Sequence, residues 1–461
     1  SQLRVFFLML LHPPRSTPFP YTRLFRSFGN PQTLGMVAAV AETGDLPDTT
    51  ANLFSRYIDL AWNEENSNRR ERGSRPSKEA VLDTLGAMSA AIIICGKEAV
   101  VKDKNSAPQD LISLVELQQL PAFGGWDTLE GNRLFKQVSV GEIRAFTFIH
   151  KRIGEWLGAR WISRQASSSR LANRFLGNLV VKGIVPANIR GIFAWLSQYE
   201  HFAEQVLRTD PMAVIEYADA DNLSPQQSAI ILEALEDLAV RNPWFSYSGS
   251  FRARALISGH LREQSLATML DTSAAMRLRL LIADQFESSA LVDTELDPFR
   301  RLVLDPSEPS RLRESAATAL LQSVGSAERT SIVESVLALG GVENSRIATS
   351  IILAADIENF SDELVAEAIM SAGGFGPTGP THKDNLFGSF WRYRYDLPDS
   401  RIPSFLDALA VRAEARFPEY RDIESSEIRS LANRLIVRHL ASNVEDPARL
   451  LGWLHVFAGI E

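Results

Sequence analysis

The sequence predicts a mostly α-helical protein with one small β-hairpin region, followed by a long array of stacked helices. Three observations predict this fold class. Apolar residues recur at helical spacing along most of the chain, and a spacing of two residues is confined to 134–149. An Asp…Arg-Leu-Arg pattern also recurs at an interval of 34 residues. These patterns are typical of amphipathic helices, of a hairpin and of helical repeats, respectively.

Composition places the chain among ordinary globular proteins. Its 461 residues are 45% hydrophobic and 23% charged, with a net charge of −8. An acidic chain is a poor general binder of nucleic acid or of anionic membranes, so we expect neither as a partner. The single Cys95 rules out an internal disulfide bond and stands in an apolar run, AAIIICG. We therefore expect a buried cysteine and a reducing, cytoplasmic location.

Residues 1–27 are expected to be foreign to the fold. The stretch 17–27, TPFPYTRLFRS, resembles the conceptual translation of a sequencing adapter. A secretory signal fits less well, because Pro and Arg stand where a small-residue cleavage site belongs. We interpret 1–27 as an adapter-derived artefact and the rest as a gene fragment that begins near Phe28.

The segment that follows the expected artefact, 28–65, is predicted to be helical. Asn30 is a favoured N-cap residue, and Pro31 suits the first position of a helix. A second helix is expected to begin after Asp48 or Thr49 and to carry one apolar stripe.

A polar linker at 66–76, NSNRRERGSRP, is predicted to lead into a small domain at 77–167. The expected elements of this domain are a helix from Ser77, a helix at 110–120, strands at 134–140 and 143–149, and a helix at 151–162. Helices, then a hairpin, then a helix is a winged-helix-like order.

The remaining chain, 168–461, is predicted to be a helical repeat domain. Asp271 and Arg279 recur 34 residues later as Asp305 and Arg313, and an apolar helical pattern follows each time. A repeat of this length predicts an α-solenoid of stacked helical pairs. The Asp…Arg spacing resembles HEAT-like repeats, in which an Asp caps one helix and an Arg reaches across to it.

The most informative segment is 148–159, FIHKRIGEWLGA. It resembles the FxHxxxxE pattern that ends the winged-helix domain of NACHT-type signal-transducing NTPases. The resemblance implies that His150 contacts the phosphate of bound ADP and helps to hold a closed, inactive state. A histidine at a strand-to-helix junction can donate a hydrogen bond to a phosphate oxygen. The alternative is that His150 is a core histidine.

Two further motifs follow the order of that family. Gly29, Asn30 and Pro31 resemble the turn after the nucleotide-binding core, where the proline packs near the adenine, and 46–65 resembles the next helix. The resemblance covers 28–165 and implies that the Walker A loop and the Mg²⁺-binding acids lie upstream. No G-x-x-x-x-G-K-[ST] motif occurs in this sequence. The candidate nucleotide-binding residues are therefore Gly29, Asn30, Pro31 and His150. We assign no catalytic or metal-binding residue in this sequence.

The resemblance implies a regulatory and sensor part of a NACHT-like NTPase, with antiviral defence as one setting. It would close over ADP at rest, sense an unknown protein ligand through the helical repeats, and form a homo-oligomer on activation. ATP and ADP would bind only to the intact protein, and no activity is expected of this fragment. The competing interpretation is a non-enzymatic helical scaffold for protein–protein interaction.

An aromatic and arginine-rich run at 390–395, FWRYRY, allows two interpretations. Its rings and guanidinium groups either grip a peptide or stack on bases, or they pack on neighbouring helices.

Overall fold

A computed structural model describes residues 31–69, 77–102, 109–125, 134–140, 143–243, 245, 253–373, 392–416, 427–442 and 446–458. The chain forms two compact units, Ser1–Leu266 (unit 1) and Ala267–Glu461 (unit 2). The described residues are mostly helical, as predicted, and they contain one small four-stranded sheet. None of their helices is long and apolar enough to cross a membrane. The artefact interpretation of 1–27 concerns residues outside those described.

The helices follow one another along the chain. In order they are α1 (Pro31–Ala41), α2 (Thr50–Arg69), α3 (Lys78–Ile94), α4 (Leu114–Leu117), α5 (Lys151–Gln165), α6 (Ser169–Leu179), α7 (Arg190–Trp195), α8 (Glu200–Thr209), α9 (Pro211–Tyr217), α10 (Pro225–Arg241), α11 (Leu261–Leu270), α12 (Met276–Phe286), α13 (Asp293–Leu304), α14 (Ser310–Ser323), α15 (Ser326–Ala338), α16 (Gly341–Ala354), α17 (Asp362–Gly373), α18 (Ile402–Arg416), α19 (Glu427–Ser442) and α20 (Pro447–Ala458).

The sheet of unit 1 contains the predicted hairpin and two short strands that were not predicted. Its strands are β1 (Ala99–Val101), β2 (Leu111–Ser113), β3 (Phe135–Val140) and β4 (Ile143–Phe148), in the order β2-β1-β4-β3. β3 and β4 pair antiparallel from Phe135 opposite Phe148 to Val140 opposite Ile143, which confirms the hairpin. β1 pairs parallel with β2 and antiparallel with β4.

The predicted helix at 110–120 is wrong. Its first residues form β2, and Ser113 then caps the single-turn helix α4 through a capping box with Glu116. A fully buried strand of three residues shows no alternation, so its apolar run cannot be told from the start of a helix.

Two predicted helix starts in unit 1 are confirmed by their caps. The Ser77 hydroxyl accepts a hydrogen bond from the Ala80 N–H at 3.2 Å. The Thr49 hydroxyl accepts from the Asn52 N–H at 3.1 Å, so Thr49 is the better of the two proposed cap residues. The expectation of a buried Cys95 is wrong, because α3 ends at Ile94 and Cys95 is exposed at the C-cap position.

α3 and α5 of unit 1 pack closely against each other at Gly86. A Cβ atom on Gly86 would lie 2.7 Å from the Leu157 carbonyl oxygen and 2.6 Å from the Trp161 Cβ. Only glycine leaves room for backbones at this separation. α5 also packs against α7, so both sides of the predicted domain boundary at 167 lie in unit 1.

Unit 2 shows the 34-residue repeat as a repeated hydrogen bond. Arg279 Nε donates to the Met269 carbonyl at 2.8 Å, and Arg313 Nε donates to the Val303 carbonyl at 2.9 Å. Both guanidinium groups are buried, and both acceptors lie in the last turn of the preceding helix. Each arginine therefore satisfies a helix C-terminus that has no partner within its own helix.

The aspartates of the repeat have a different role from the predicted one. Asp271 accepts from the Ser273 N–H at 2.8 Å, and Asp305 accepts from the Ser307 N–H at 2.9 Å. These bonds close the turn before α12 and α14 and do not cap either helix. The HEAT-like assignment stays a prediction.

Part of the aromatic run at 390–395 packs within unit 2. Tyr393 is buried, and its hydroxyl donates to the Thr349 carbonyl at 2.9 Å. Arg394 lies 5.1 Å from the ring centre of the exposed Tyr395. Tyr393 thus serves the core, as the second interpretation expects, while 390–391 lie outside the described residues.

Candidate functional site at His150

His150 occupies the junction between β4 and α5. It is the N-cap residue of α5, with extended backbone angles of φ −128° and ψ 122°. Its carbonyl accepts the first helical hydrogen bond, from the Gly154 N–H at 3.0 Å. Its side chain makes no capping bond. The predicted strand-to-helix position is therefore confirmed, and the ring is available for other contacts.

The His150 ring is partly buried beside α2. The Tyr57 ring meets it edge-on, with ring centres 5.9 Å apart. Its Nδ1 atom is buried and has no hydrogen-bond partner among the described residues. Burial, assisted by the charge of Lys136, lowers the pKa of His150. The ring is therefore more readily neutral here than in water.

A small cavity lies against the ring. Its volume is about 10 Å³. Its lining includes Tyr57, Leu85, Ser89, Phe148, Ile153 and Leu157. The space is far smaller than a phosphate group, and no Lys or Arg lines it. A nucleotide phosphate does not fit in this cavity, and it cannot reach the buried Nδ1 atom of His150 in this conformation.

The two matching segments, 46–65 and 148–159, pack against each other. Phe54 on α2 is almost fully buried, and its ring centre lies 6.3 Å from that of Trp156 on α5. It lies 5.9 Å from the ring centre of Trp195 on α7. Residues about 100 positions apart in the chain thus form one aromatic cluster next to His150.

A distant carboxylate caps the N-terminus of α2. Asp219 accepts hydrogen bonds from the Thr50 N–H at 3.0 Å and from the Ala51 N–H at 2.7 Å. Burial raises the pKa of Asp219, although the bonds from Ala51 and Thr50 favour its charged form. Sequence reasoning missed this contact, since nothing local to Asp219 indicates a partner 168 residues away.

Glu155, the acid of the FxHxxxxE pattern, lies on α5 and is buried against Gly191 at the start of α7. Its carboxylate fills the space beside Gly191, where a Cβ atom would lie 2.2 Å from the Glu155 Cδ. Its Oε1 lies 3.7 Å from the Lys151 Nζ, and its Oε2 has no partner among the described residues. Burial raises the pKa of Glu155, opposed by the charges of Arg152 and Lys151.

Replacing Glu155 by Gln should stabilise the protein at neutral pH. A carboxyl whose pKa is higher in the folded state than in the unfolded state loses stability as pH rises from about 4.5 through the folded pKa. The neutral amide removes this loss. We expect the free energy of unfolding of E155Q to exceed that of wild type at pH 7 and to converge with it near pH 4. Urea unfolding across this pH range measures the difference.

Glu79→Gln is the control, because its expected change in the free energy of unfolding at pH 7 has the opposite sign. Hydrogen bonds from Arg160 and Arg164 lower the pKa of the exposed Glu79, so its charge favours the folded state above about pH 4.5. E79Q should therefore be slightly less stable than wild type at pH 7. An E155Q protein that follows the E79Q pattern would contradict a desolvated carboxyl at position 155.

The other candidate residues remain predictions as nucleotide contacts. Pro31 is the first residue of α1, which confirms the predicted helix start, while Gly29 and Asn30 lie outside the described residues. Within the described part of the chain, no group of three His, Cys, Asp or Glu residues is placed to hold a metal ion. No family model, curated protein or solved structure matches this chain.

Proposed function

We propose that this chain is the regulatory and sensor part of a NACHT-like signal-transducing NTPase. The single observation that carries the proposal is the contact between two of the three matching segments. Tyr57 lies against His150, and Phe54 lies against Trp156. Segments matched separately in the sequence thus build one local structure, with the histidine at its edge.

In this proposal the winged-helix-like region closes over ADP in the resting state. His150 would present Nε2 to a phosphate oxygen, because its Nδ1 atom is buried. A nucleotide-binding core encoded upstream, as the resemblance implies, would supply the other phosphate contacts and the Mg²⁺ site. The HEAT-like repeats of unit 2 would bind a protein ligand, and that ligand must prefer the open state in order to release the closed one.

The upstream DNA provides the first test. A longer assembly of this gene should encode a P-loop strand and helix before Phe28. The purified chain 28–461 should hydrolyse no ATP above mock-purified controls, because it lacks the residues that bind phosphate and Mg²⁺. A start codon shortly upstream, or clear ATP turnover by 28–461, would overturn the proposal.

His150→Ala in the longer protein provides the second test. Losing a charge-assisted hydrogen bond costs about 1.5–3 kcal/mol, so ADP should dissociate roughly ten to a hundred times more readily. The stability of the nucleotide-free protein is the control. Unchanged ADP dissociation with a large fall in that stability would identify His150 as a core residue only.

The second candidate function is a helical scaffold without enzymatic activity. The 34-residue repetition of the Arg279 and Arg313 contacts favours it, since repeat arrays present extended binding surfaces. The scaffold differs from the NTPase proposal in one measurable respect. The longer protein would then retain no bound ADP after purification.

A further inference from the structure

We infer that the cavity beside His150 is a site for one buried water molecule, which bridges Ser89 and His150. Two observations carry the inference, of which the first is that Ser89 and His150 both line the cavity. The second is that Ser89 Oγ and His150 Nδ1 are both buried, and neither has a hydrogen-bond partner among the described residues. This site is independent of the nucleotide proposal.

Ser89 is an unusual residue for its place in the fold. It lies in the middle of α3 and is 1% exposed. Thr84 on the same helix shows how such a hydroxyl is normally satisfied, since it donates to the Ala80 carbonyl and accepts from the Gly124 N–H. A buried hydroxyl without a partner carries a desolvation cost that a bound water removes.

The cavity has the size of one water. Its volume of about 10 Å³ is at the lower limit of the roughly 10–15 Å³ that a single water requires. A larger ligand is excluded by the apolar walls formed by Leu85, Ile153 and Leu157. The water would donate to His150 Nδ1 and accept from the Ser89 hydroxyl. This arrangement leaves the ring proton on Nε2, so the water fixes the tautomer of a neutral histidine.

Ser89→Ala tests the site against a matched control. Ser228 on α10 is also fully buried, its hydroxyl also lacks a partner among the described residues, and it does not line the His150 cavity. Both substitutions replace a helical serine by alanine, which has the higher helix propensity. Removing a hydroxyl that binds water should lower the melting temperature, whereas removing an unsatisfied hydroxyl should leave it unchanged or raise it.

We expect S89A to melt roughly 2–4 °C below S228A. A high-resolution crystal structure of the wild-type chain should show one water within hydrogen-bond distance of both Ser89 Oγ and His150 Nδ1. The ring ¹⁵N shifts should report the Nε2–H tautomer and should change in S89A but not in S228A. A cavity without water density, or an S89A protein that melts no lower than S228A, would overturn the inference.

Discussion

Arg279→Ala should destabilise unit 2 by about 3–5 kcal/mol. The Arg279 side chain is 1% exposed, donates to the Met269 carbonyl at 2.8 Å and pairs with Glu308 at 2.6 Å. Its removal leaves the Glu308 charge buried without its partner and the end of α11 without a donor. Both losses are expensive in a site that water cannot reach. Urea unfolding followed by circular dichroism measures the change.

Arg311→Ala is the matched control. Arg311 lies in the second copy of the repeated pattern and pairs with Asp284 at 3.1 Å, but its side chain is 61% exposed. Exposed ion pairs contribute less than about 1 kcal/mol, so this variant should unfold close to wild type. Equal losses for the two variants would show that burial does not set the importance of Arg279.

Arg313 shows which of the two Arg279 interactions is repeated, the hydrogen bond to a helix carbonyl or the ion pair with Glu308. It keeps the carbonyl bond of Arg279, but Val342 stands where the 34-residue shift would place the counterpart of Glu308. Its Nη2 is buried without a partner among the described residues, and burial lowers the pKa of Arg313. The bond to the helix end is therefore the repeated feature, and the carboxylate is particular to Arg279.

Sequence patterns predicted the elements whose signals are local. The hairpin at 134–149 consists of two short apolar runs around a Gly turn, and its strands pair over six residues each. Ser77 and Thr49 are cap residues beside the helices they start. β1 and β2 have three residues each and were not predicted. Their pairing depends on partners elsewhere in the sheet, so short windows carry little information about them.

At the candidate site too, the sequence predicted local features but not contacts with distant residues. The place of His150 between β4 and α5 was predictable from the sequence around it. Its surroundings were not, because Tyr57 and Ser89 come from two other helices. The burial of Glu155 depends on Gly191 in α7, and the cap of α2 depends on Asp219. Side-chain environments of this kind arise from tertiary packing, which periodicity does not encode.

Phe54→Ala should destabilise unit 1 by about 3–5 kcal/mol. Phe54 is 1% exposed and is the ring through which α2 contacts Trp156 on α5 and Trp195 on α7. Truncation removes the apolar area that the ring buries and leaves a cavity between three helices, which packed backbones cannot close fully. Because α2 also carries Tyr57, the His150 ring should become more exposed and its pKa should move back towards its ordinary value.

Asn52→Ala provides the comparison on the same helix. Asn52 is exposed on α2, so its replacement should change the free energy of unfolding by no more than about 0.5 kcal/mol. Urea unfolding gives the stability of both variants, and hydrogen exchange at 50–62 reports whether α2 stays docked. A Phe54→Ala protein as stable as Asn52→Ala, with α2 amides still protected, would mean that Asp219 and the remaining contacts hold the helix without the aromatic cluster. The packing of 46–65 on 148–159 would then be too weak to support the proposed closed state.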